Sequence, residues 1–172
     1  MVCGYLIQLS TSDLHTSNYK VNIYYFCDQT IPNEVLTMNY VFDLRMKVRD
    51  YELDVQGVVN NANYQHYLEH ARHEFLESAG ITFMELTNRG IVAMVAKIEM
   101  EFKQSLVSGD QFECRLAVKK EGVKFIFLQD IYRVSDGALI LKGVVTTVCM
   151  ENGRIIRTGY LDEMIAPYLM KN

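Results

Sequence analysis

Residues 48–64 read VRDYELDVQGVVNNANY, and this stretch decides the fold of the chain. It predicts the end of a strand, a tight loop and the start of a helix, because Gly57 permits a bend that other residues resist and asparagines favour helix N-caps. One carboxylate, Asp54, stands a few residues before the backbone N–H groups that open the helix. A carboxylate can attack a carbonyl or activate water, and free N–H groups can bind the oxygen that becomes negative. The stretch therefore predicts an active site for acyl transfer to water, while the same spacing also fits a solvated loop aspartate or a cap.

The helix predicted after this loop has a clear period. Its apolar residues recur every three or four positions, which places them on one face. These residues are Tyr64, Tyr67, Leu68, Ala71, Phe75 and Ala79. Gly80 supplies a C-terminal stop, and residues 82–88 predict a short second helix.

Strand-like alternation stands on both sides of the long helix. Residues 41–50 alternate before it, and after Gly90 the period stays at two through four further segments, which are 91–102, 112–119, 123–134 and 138–150. Turn signals between them predict consecutive antiparallel strands, and residues 160–169 predict a short terminal helix. A single antiparallel sheet with one apolar side is the only partner for the long helix, so we expect an α+β fold in which the sheet wraps around that helix. The free edge of such a sheet predicts a homodimer or homotetramer, with the apolar slot for an acyl chain between subunits.

The composition excludes several classes of function. The chain has 172 residues, of which 49% are hydrophobic and 22% charged, so one sizeable core is expected. A formal charge of −4 argues against a nucleic-acid partner, and no apolar run approaches a membrane span. The four cysteines are too far apart for a metal knuckle or a redox pair. Two of them, Cys114 and Cys149, lie in apolar strand-like runs, which fits a reducing cytoplasm.

Residues 1–37 differ from the rest of the chain. They are rich in Ser, Thr, Asn and Tyr and show no sustained period, whereas residues 38–172 are long enough for a whole domain. We expect an N-terminal appendage of uncertain order, even upstream sequence read from an early start codon. The alternative is a genuine extra strand over residues 21–26.

Three motifs now carry a resemblance to a known family. They are Tyr51-x-Leu53-Asp54, residues 58–64 with the sequence VVNNANY, and Tyr67-Leu68-Glu69-x-Ala71-Arg72. Together with the Leu106-x-x-Gly109-Asp110 turn, they resemble the hotdog-fold 4-hydroxybenzoyl-CoA thioesterase family, and within it the long-chain acyl-CoA thioesterase branch. The resemblance spans roughly residues 41–156. It implies hydrolysis of an acyl-CoA or acyl-carrier-protein thioester in lipid metabolism, without a cofactor or metal.

The resemblance also implies roles for individual residues. Asp54 falls at the catalytic carboxylate, acting as nucleophile or general base, and Asn61 falls where a backbone N–H polarises the thioester carbonyl. Glu69 is a second acidic candidate, since some relatives use a carboxylate on this helix, and its alternative is a helical pair with Arg72 or His73. Substrate contacts are expected from a group around the loop, which comprises Gly57, Val58, Asn60 and Tyr64, with Tyr64 mainly packing.

The chain departs from the family pattern at two positions. Many members have His after the loop glycine, where this chain has Val58, and some have His where Asn61 stands. A mechanism that needs an imidazole at either place is therefore not available here.

Other readings of the same residues stay open. Residues 66–70 spell the inverted zinc-protease motif H-x-x-E-H, but the histidines lie opposite the apolar helix face and no third ligand is evident. A solvated stripe or a subunit contact explains them better. A non-catalytic acyl-thioester-binding module uses the same slot without chemistry. A hotdog dehydratase would need a catalytic His in the loop or early helix, and His66 is poorly placed for that role.

Overall fold

The computed structural model describes residues 38–170. The appendage expected over residues 1–37 lies outside the described residues, and so does the choice between an appendage and an extra strand. The strands are β1 (Phe42–Lys47), β2 (Val92–Phe102), β3 (Gln111–Glu121), β4 (Lys124–Arg133), β5 (Leu139–Glu151) and β6 (Arg154–Ile156). The helices are α1 (Asn61–Ser78), α2 (Phe83–Asn88) and α3 (Gly159–Ile165). Short 3-10 turns follow β1 and α3, at Asp50–Glu52 and Ala166–Tyr168.

All six strands form one antiparallel sheet in the order β1-β3-β4-β5-β2, with β6 added at the end of β5. The expected succession of neighbours holds from β3 to β5, but β2 pairs with β5 and not with β3. That part of the prediction was wrong, because alternation in sequence determines which face of a strand is buried and not which edge finds which partner. The place beside β3 is taken by β1, which pairs with it from Phe42↔Leu116 to Lys47↔Gln111.

The apolar face of α1 packs against the inner face of this sheet. All six residues predicted for that face are at most 8% exposed, and Leu68, Ala71 and Phe75 are fully buried. The approach is closest at Gly143 of β5, where a Cβ atom would lie 2.7 Å from Leu68 Cδ1 and 3.1 Å from the Gln129 carbonyl oxygen. The predicted wrapping of an antiparallel sheet around one long helix is thus confirmed.

Candidate active site

Asp54 lies in a tight hairpin that leads directly into α1. Its N–H donates to the Val58 carbonyl at 2.8 Å, and the Gly57 N–H donates to the Asp54 carbonyl at 3.0 Å. Gly57 has φ +78°, a left-handed conformation that other residues rarely adopt. The Gln56 N–H donates to Asp54 Oδ1 at 2.8 Å, which fixes the carboxylate, while no donor among residues 38–170 binds Oδ2. Half of the Asp54 carboxylate is therefore held by the loop, and the other half is available to a ligand.

The first turn of α1 uses all but one of its free N–H groups. A helix leaves its first four N–H groups without partners inside the helix. Here the Asn60 N–H donates to the Glu52 carbonyl at 2.9 Å, the Ala62 N–H to Asn60 Oδ1 at 3.0 Å, and the Asn63 N–H to the Asn60 carbonyl at 2.9 Å. Within the described part of the chain, the N–H of Asn61 has no acceptor. Asn60 is therefore the cap, and Asn61 carries the donor that remains for a ligand.

The hairpin brings Asp54 close to this donor. Val58, whose carbonyl accepts the Asp54 N–H, stands three residues before Asn61. At most about 10 Å of extended chain therefore separates Val58 from Asn61. The pKa of Tyr64, one turn into α1, is raised by burial, and the negative charges of Asp110 and Asp54 raise it further. The predicted group of Asp54, Val58 and Asn61 thus lies around one helix start.

Tyr64 forms the inner wall of this region. It is 3% exposed, its ring contacts the rings of Tyr67 and Phe102, and its hydroxyl accepts the Leu106 N–H at 3.1 Å. The Leu106 carbonyl in turn accepts the Val59 N–H at 2.9 Å. Tyr64 therefore packs in the core and ties the turn that begins at Leu106 to the hairpin and the helix, and its contact with a substrate stays a prediction.

Glu52, which sequence reasoning passed over, holds the loop to α1. It is 6% exposed, and its carboxylate Oε2 accepts the Tyr67 hydroxyl at 2.7 Å and the Arg49 N–H at 2.7 Å. Its main-chain carbonyl accepts the Asn63 side-chain amide at 2.7 Å. Burial and this hydrogen bond raise the pKa of Tyr67. A buried tyrosine hydroxyl signals that some partner exists, but nothing in the sequence points to a carboxylate fifteen residues earlier.

Glu69 stands apart from the Asp54 group. It lies eight residues after Asn61, which is about 12 Å along the helix axis. Its carboxylate is 3.9 Å from His73 Nε2, which matches the helical pair weighed as the alternative. His66 and His70 are exposed on the outer side of α1, and His70 pairs with Glu74 at 3.8 Å.

A cleft of about 250 Å³ opens beside Glu69. The second half of α1, the inner face of the sheet, α2 and α3 form its walls, with apolar side chains that include Leu86, Phe125, Phe127, Leu161 and Ile165. The two short helices thus add walls that one helix and one sheet alone would lack, and the acyl slot expected between subunits stays a prediction.

The sequence offers six basic residues on or next to the strands that could meet the phosphates of coenzyme A, and most of them already have partners in the chain. Lys97 and Lys119 pair with Glu99 and Glu121 at 2.9 and 2.8 Å. Lys103, Lys120 and Arg133 also pair with carboxylates. Among the described residues, Lys124 alone of these six has no carboxylate within ion-pair distance.

Cys114 and Cys149 are buried and free, as their strand positions predicted. Cys3 and Cys27 lie outside the described residues, and the cytoplasmic location stays a prediction. In the part of the chain that the structure describes, no helix is long and apolar enough to cross a membrane.

A curled antiparallel sheet wrapped around one long helix is the arrangement of the hotdog class of proteins. The model of the Thioesterase-like superfamily matches residues 48–166. The chain belongs to this family.

Individual relatives agree with the family assignment. The chain is 36% identical over 116 residues to a chloroplastic acyl-acyl carrier protein thioesterase of Arabidopsis thaliana, covering 67% of this chain and 61% of that protein. It is 31% identical over 108 residues to a long-chain acyl-CoA thioesterase of Escherichia coli, covering 62% and 81%. A crystal structure of a hypothetical protein from Aquifex aeolicus superposes with a TM-score of 0.67 at 28% identity, covering 72% and 98%. The chain thus spans about three fifths of the length of its plant relatives.

Proposed function

We propose that this protein hydrolyses the thioester of an acyl-CoA or acyl-carrier-protein substrate to a free acid and a thiol. One observation carries the proposal, namely that α1 satisfies three of its first four N–H groups and leaves that of Asn61 beside the hairpin of Asp54. Membership of the Thioesterase-like superfamily and the names of the plant and bacterial relatives support it. The proposed site is completed by Gly57, Val58 and Asn60, which shape the loop and the cap.

The chemistry follows from these two groups. The thioester carbonyl oxygen accepts the Asn61 N–H, which stabilises the negative charge that develops there. The free oxygen of Asp54 either takes a proton from the attacking water or attacks the carbon itself, and water then releases the acyl group. In both routes the C–S bond breaks, the sulfur leaves with a proton, and the acyl carbon ends as a carboxylic acid.

An Asp54→Asn variant tests the site. It keeps the size of the side chain and removes the charge, so we expect turnover to fall by at least about 100-fold, the lower range for a lost general base. Thiol release from a panel of acyl-CoA and acyl-carrier-protein thioesters is the measurement. Asp43→Asn, on the exposed face of β1, is the matched control and should keep full activity.

Retained turnover in Asp54→Asn would contradict the proposed role and move the chemistry elsewhere, with Glu69 next. Glu69→Gln should therefore be measured in the same panel. Acyl-CoA binding by the unmodified protein without any thiol release would instead identify a non-catalytic binding module.

We also propose that two chains associate through β2. This strand ends the sheet, runs for 11 residues, and pairs only with β5 among residues 38–170. It exposes large apolar side chains, with Val92 53%, Met94 47%, Val95 45% and Phe102 45% accessible. A long apolar edge of this kind favours pairing with another strand.

The substitution Val92→Lys tests this edge. A lysine on a β2–β2 contact adds charge repulsion and desolvation, so we expect a shift from dimer to monomer at micromolar protein. Light scattering after size exclusion is the measurement. Val123→Lys, in the turn between β3 and β4 and 38% exposed, is the matched control. Dimers that persist equally in both variants would show that the interface does not involve β2. The same measurement gives the number of subunits and so distinguishes a dimer from a tetramer.

A further inference from the structure

The cleft beside Glu69 contains a buried cation. Arg72 of α1 lines it and is only 6% exposed. Its Nη1 donates to Gln129 Oε1 at 2.9 Å. Gln129 is itself fully buried and fixed by the bond from its Nε2 to the Leu68 carbonyl at 2.8 Å. The guanidinium is thus held rigidly on the inner face of the sheet.

Arg72 keeps N–H donors that open into the cleft, because among the described residues none of its nitrogens is both buried and without a partner. A guanidinium carries five N–H donors and stays charged in proteins. Within residues 38–170 it makes this single side-chain hydrogen bond, and no carboxylate lies within ion-pair distance. Glu69 also lines the cleft, where it is half exposed and pairs with His73. Burial lowers the pKa of Arg72, and the negative charge of Glu69 acts in the opposite direction.

Most of the other side chains that line the cleft are apolar, and Glu69, His73 and Thr147 are the polar exceptions. The apolar walls include Phe125 and Phe127 of β4 and Leu161 and Ile165 of α3. Small-molecule sites combine such apolar walls with a few placed polar groups. One mostly buried cation in a largely apolar cleft matches a ligand with an anionic head and an alkyl tail.

We propose that this cleft binds a free fatty acid, with its carboxylate on Arg72 and its alkyl chain along Phe125 and Leu161. The inference rests on the proposed function for the source of the ligand. Hydrolysis turns a neutral thioester into a carboxylate, so only the product carries the charge that Arg72 complements. Arg72 therefore favours the free acid that is the product over the acyl thioester that is the substrate.

The test is direct binding of decanoate and decan-1-ol to the full chain, by isothermal titration at pH 7.5 with both ligands below their aggregation limits. The two ligands share the alkyl chain and differ in the charge of the head. We expect decanoate to bind the unmodified protein at least about tenfold more tightly, the factor for one charge-assisted hydrogen bond. Equal affinities, tighter binding of the alcohol, or no binding of either ligand would overturn the proposal.

Variants test whether the preference for decanoate depends on Arg72. Arg72→Met should weaken decanoate binding by about 10- to 100-fold and leave decan-1-ol within about threefold. Arg72→Lys keeps the charge and should restore part of the affinity. Arg45→Met removes an equal charge from the exposed face of β1 and is the matched control. An equal loss in Arg45→Met would overturn the proposal, because it would assign the effect to net charge.

Ligand binding tests the proposed fatty-acid site, and thioester hydrolysis tests the proposed function, so the two can fail independently. Should Arg72→Met lose both ligands through misfolding, the Arg72→Lys variant and the comparison on the unmodified protein still decide the proposal. Binding needs no turnover, so a failure here leaves hydrolysis at Asp54 untouched. A failure of Asp54→Asn to lose activity likewise leaves the binding result valid.

Discussion

The bond between Tyr67 and Glu52 gives the sharpest prediction about stability. Both side chains are 6% exposed, and the hydroxyl donates to a carboxylate oxygen at 2.7 Å. A hydrogen bond to a charged group contributes about 1.5–3 kcal/mol. Replacing Tyr67 with Phe removes only the hydroxyl. Because the Arg49 N–H still donates to the same oxygen at 2.7 Å, we expect the lower part of that range, about 1.5–2 kcal/mol.

Urea unfolding at pH 7 measures this loss. With a slope of about 1–3 kcal/mol per molar urea, the midpoint should fall by roughly 1 M in Tyr67→Phe. Tyr51→Phe is the matched control on the same loop, since Tyr51 is 78% exposed. Its ring keeps its place 5.9 Å from the Arg49 guanidinium, so its stability should change by less than about 0.5 kcal/mol.

The same change should lower the rate of thioester hydrolysis. The Glu52 carbonyl accepts the N–H of Asn60, the cap that begins α1, so a looser Glu52 displaces the helix start on which Asn61 lies. A double-mutant cycle with Glu52→Ala, which removes the acceptor, should show a coupling energy of at least about 0.5 kcal/mol. Equal urea midpoints for Tyr67→Phe and Tyr51→Phe, or a coupling near zero, would refute the claim that this bond holds the loop.

Two further predictions concern the core. Gly143→Ala should destabilise the protein by about 1–3 kcal/mol, because its Cβ meets Leu68 Cδ1 at 2.7 Å, whereas Gly159→Ala meets nothing within 4 Å and should be neutral in the same urea assay. Equal effects would contradict the close approach of α1 to β5. Burial raises the pKa of Cys149 to about 11 and that of Cys114 to about 12, so the folded state keeps two protons that the unfolded chain releases above pH 9. The free energy of unfolding should therefore fall as pH rises from 9 to 11, by up to about 1.4 kcal/mol per pH unit for each thiol, and less steeply in Cys149→Ala.

Local sequence determined a large part of this protein. The 3.6-residue period predicted α1 and its buried face, the two-residue period predicted the strands, and Gly57 predicted the turn. The asparagines predicted a cap, and the structure decided that Asn60 is the one that forms it. These features depend on neighbours within a few positions, so they are readable along the chain. The position of Asp54 in a loop just before the helix start was predictable for the same reason, because the loop and the helix start are contiguous in sequence, whereas the role proposed for Asn61 came from the resemblance to a family.

Only the tertiary structure decided which edges and side chains meet. The pairing of β2 with β5, the closure of a cleft by α2 and α3, and the contact of Tyr67 with Glu52 join segments that are distant along the chain. Arg72 shows the reason most clearly. In sequence it is a charged residue on a helix, and only its packing against Gln129 of β4, 57 positions later, makes it a buried cation in a largely apolar cleft. Burial depends on what the whole chain places around a residue, and no local pattern records that.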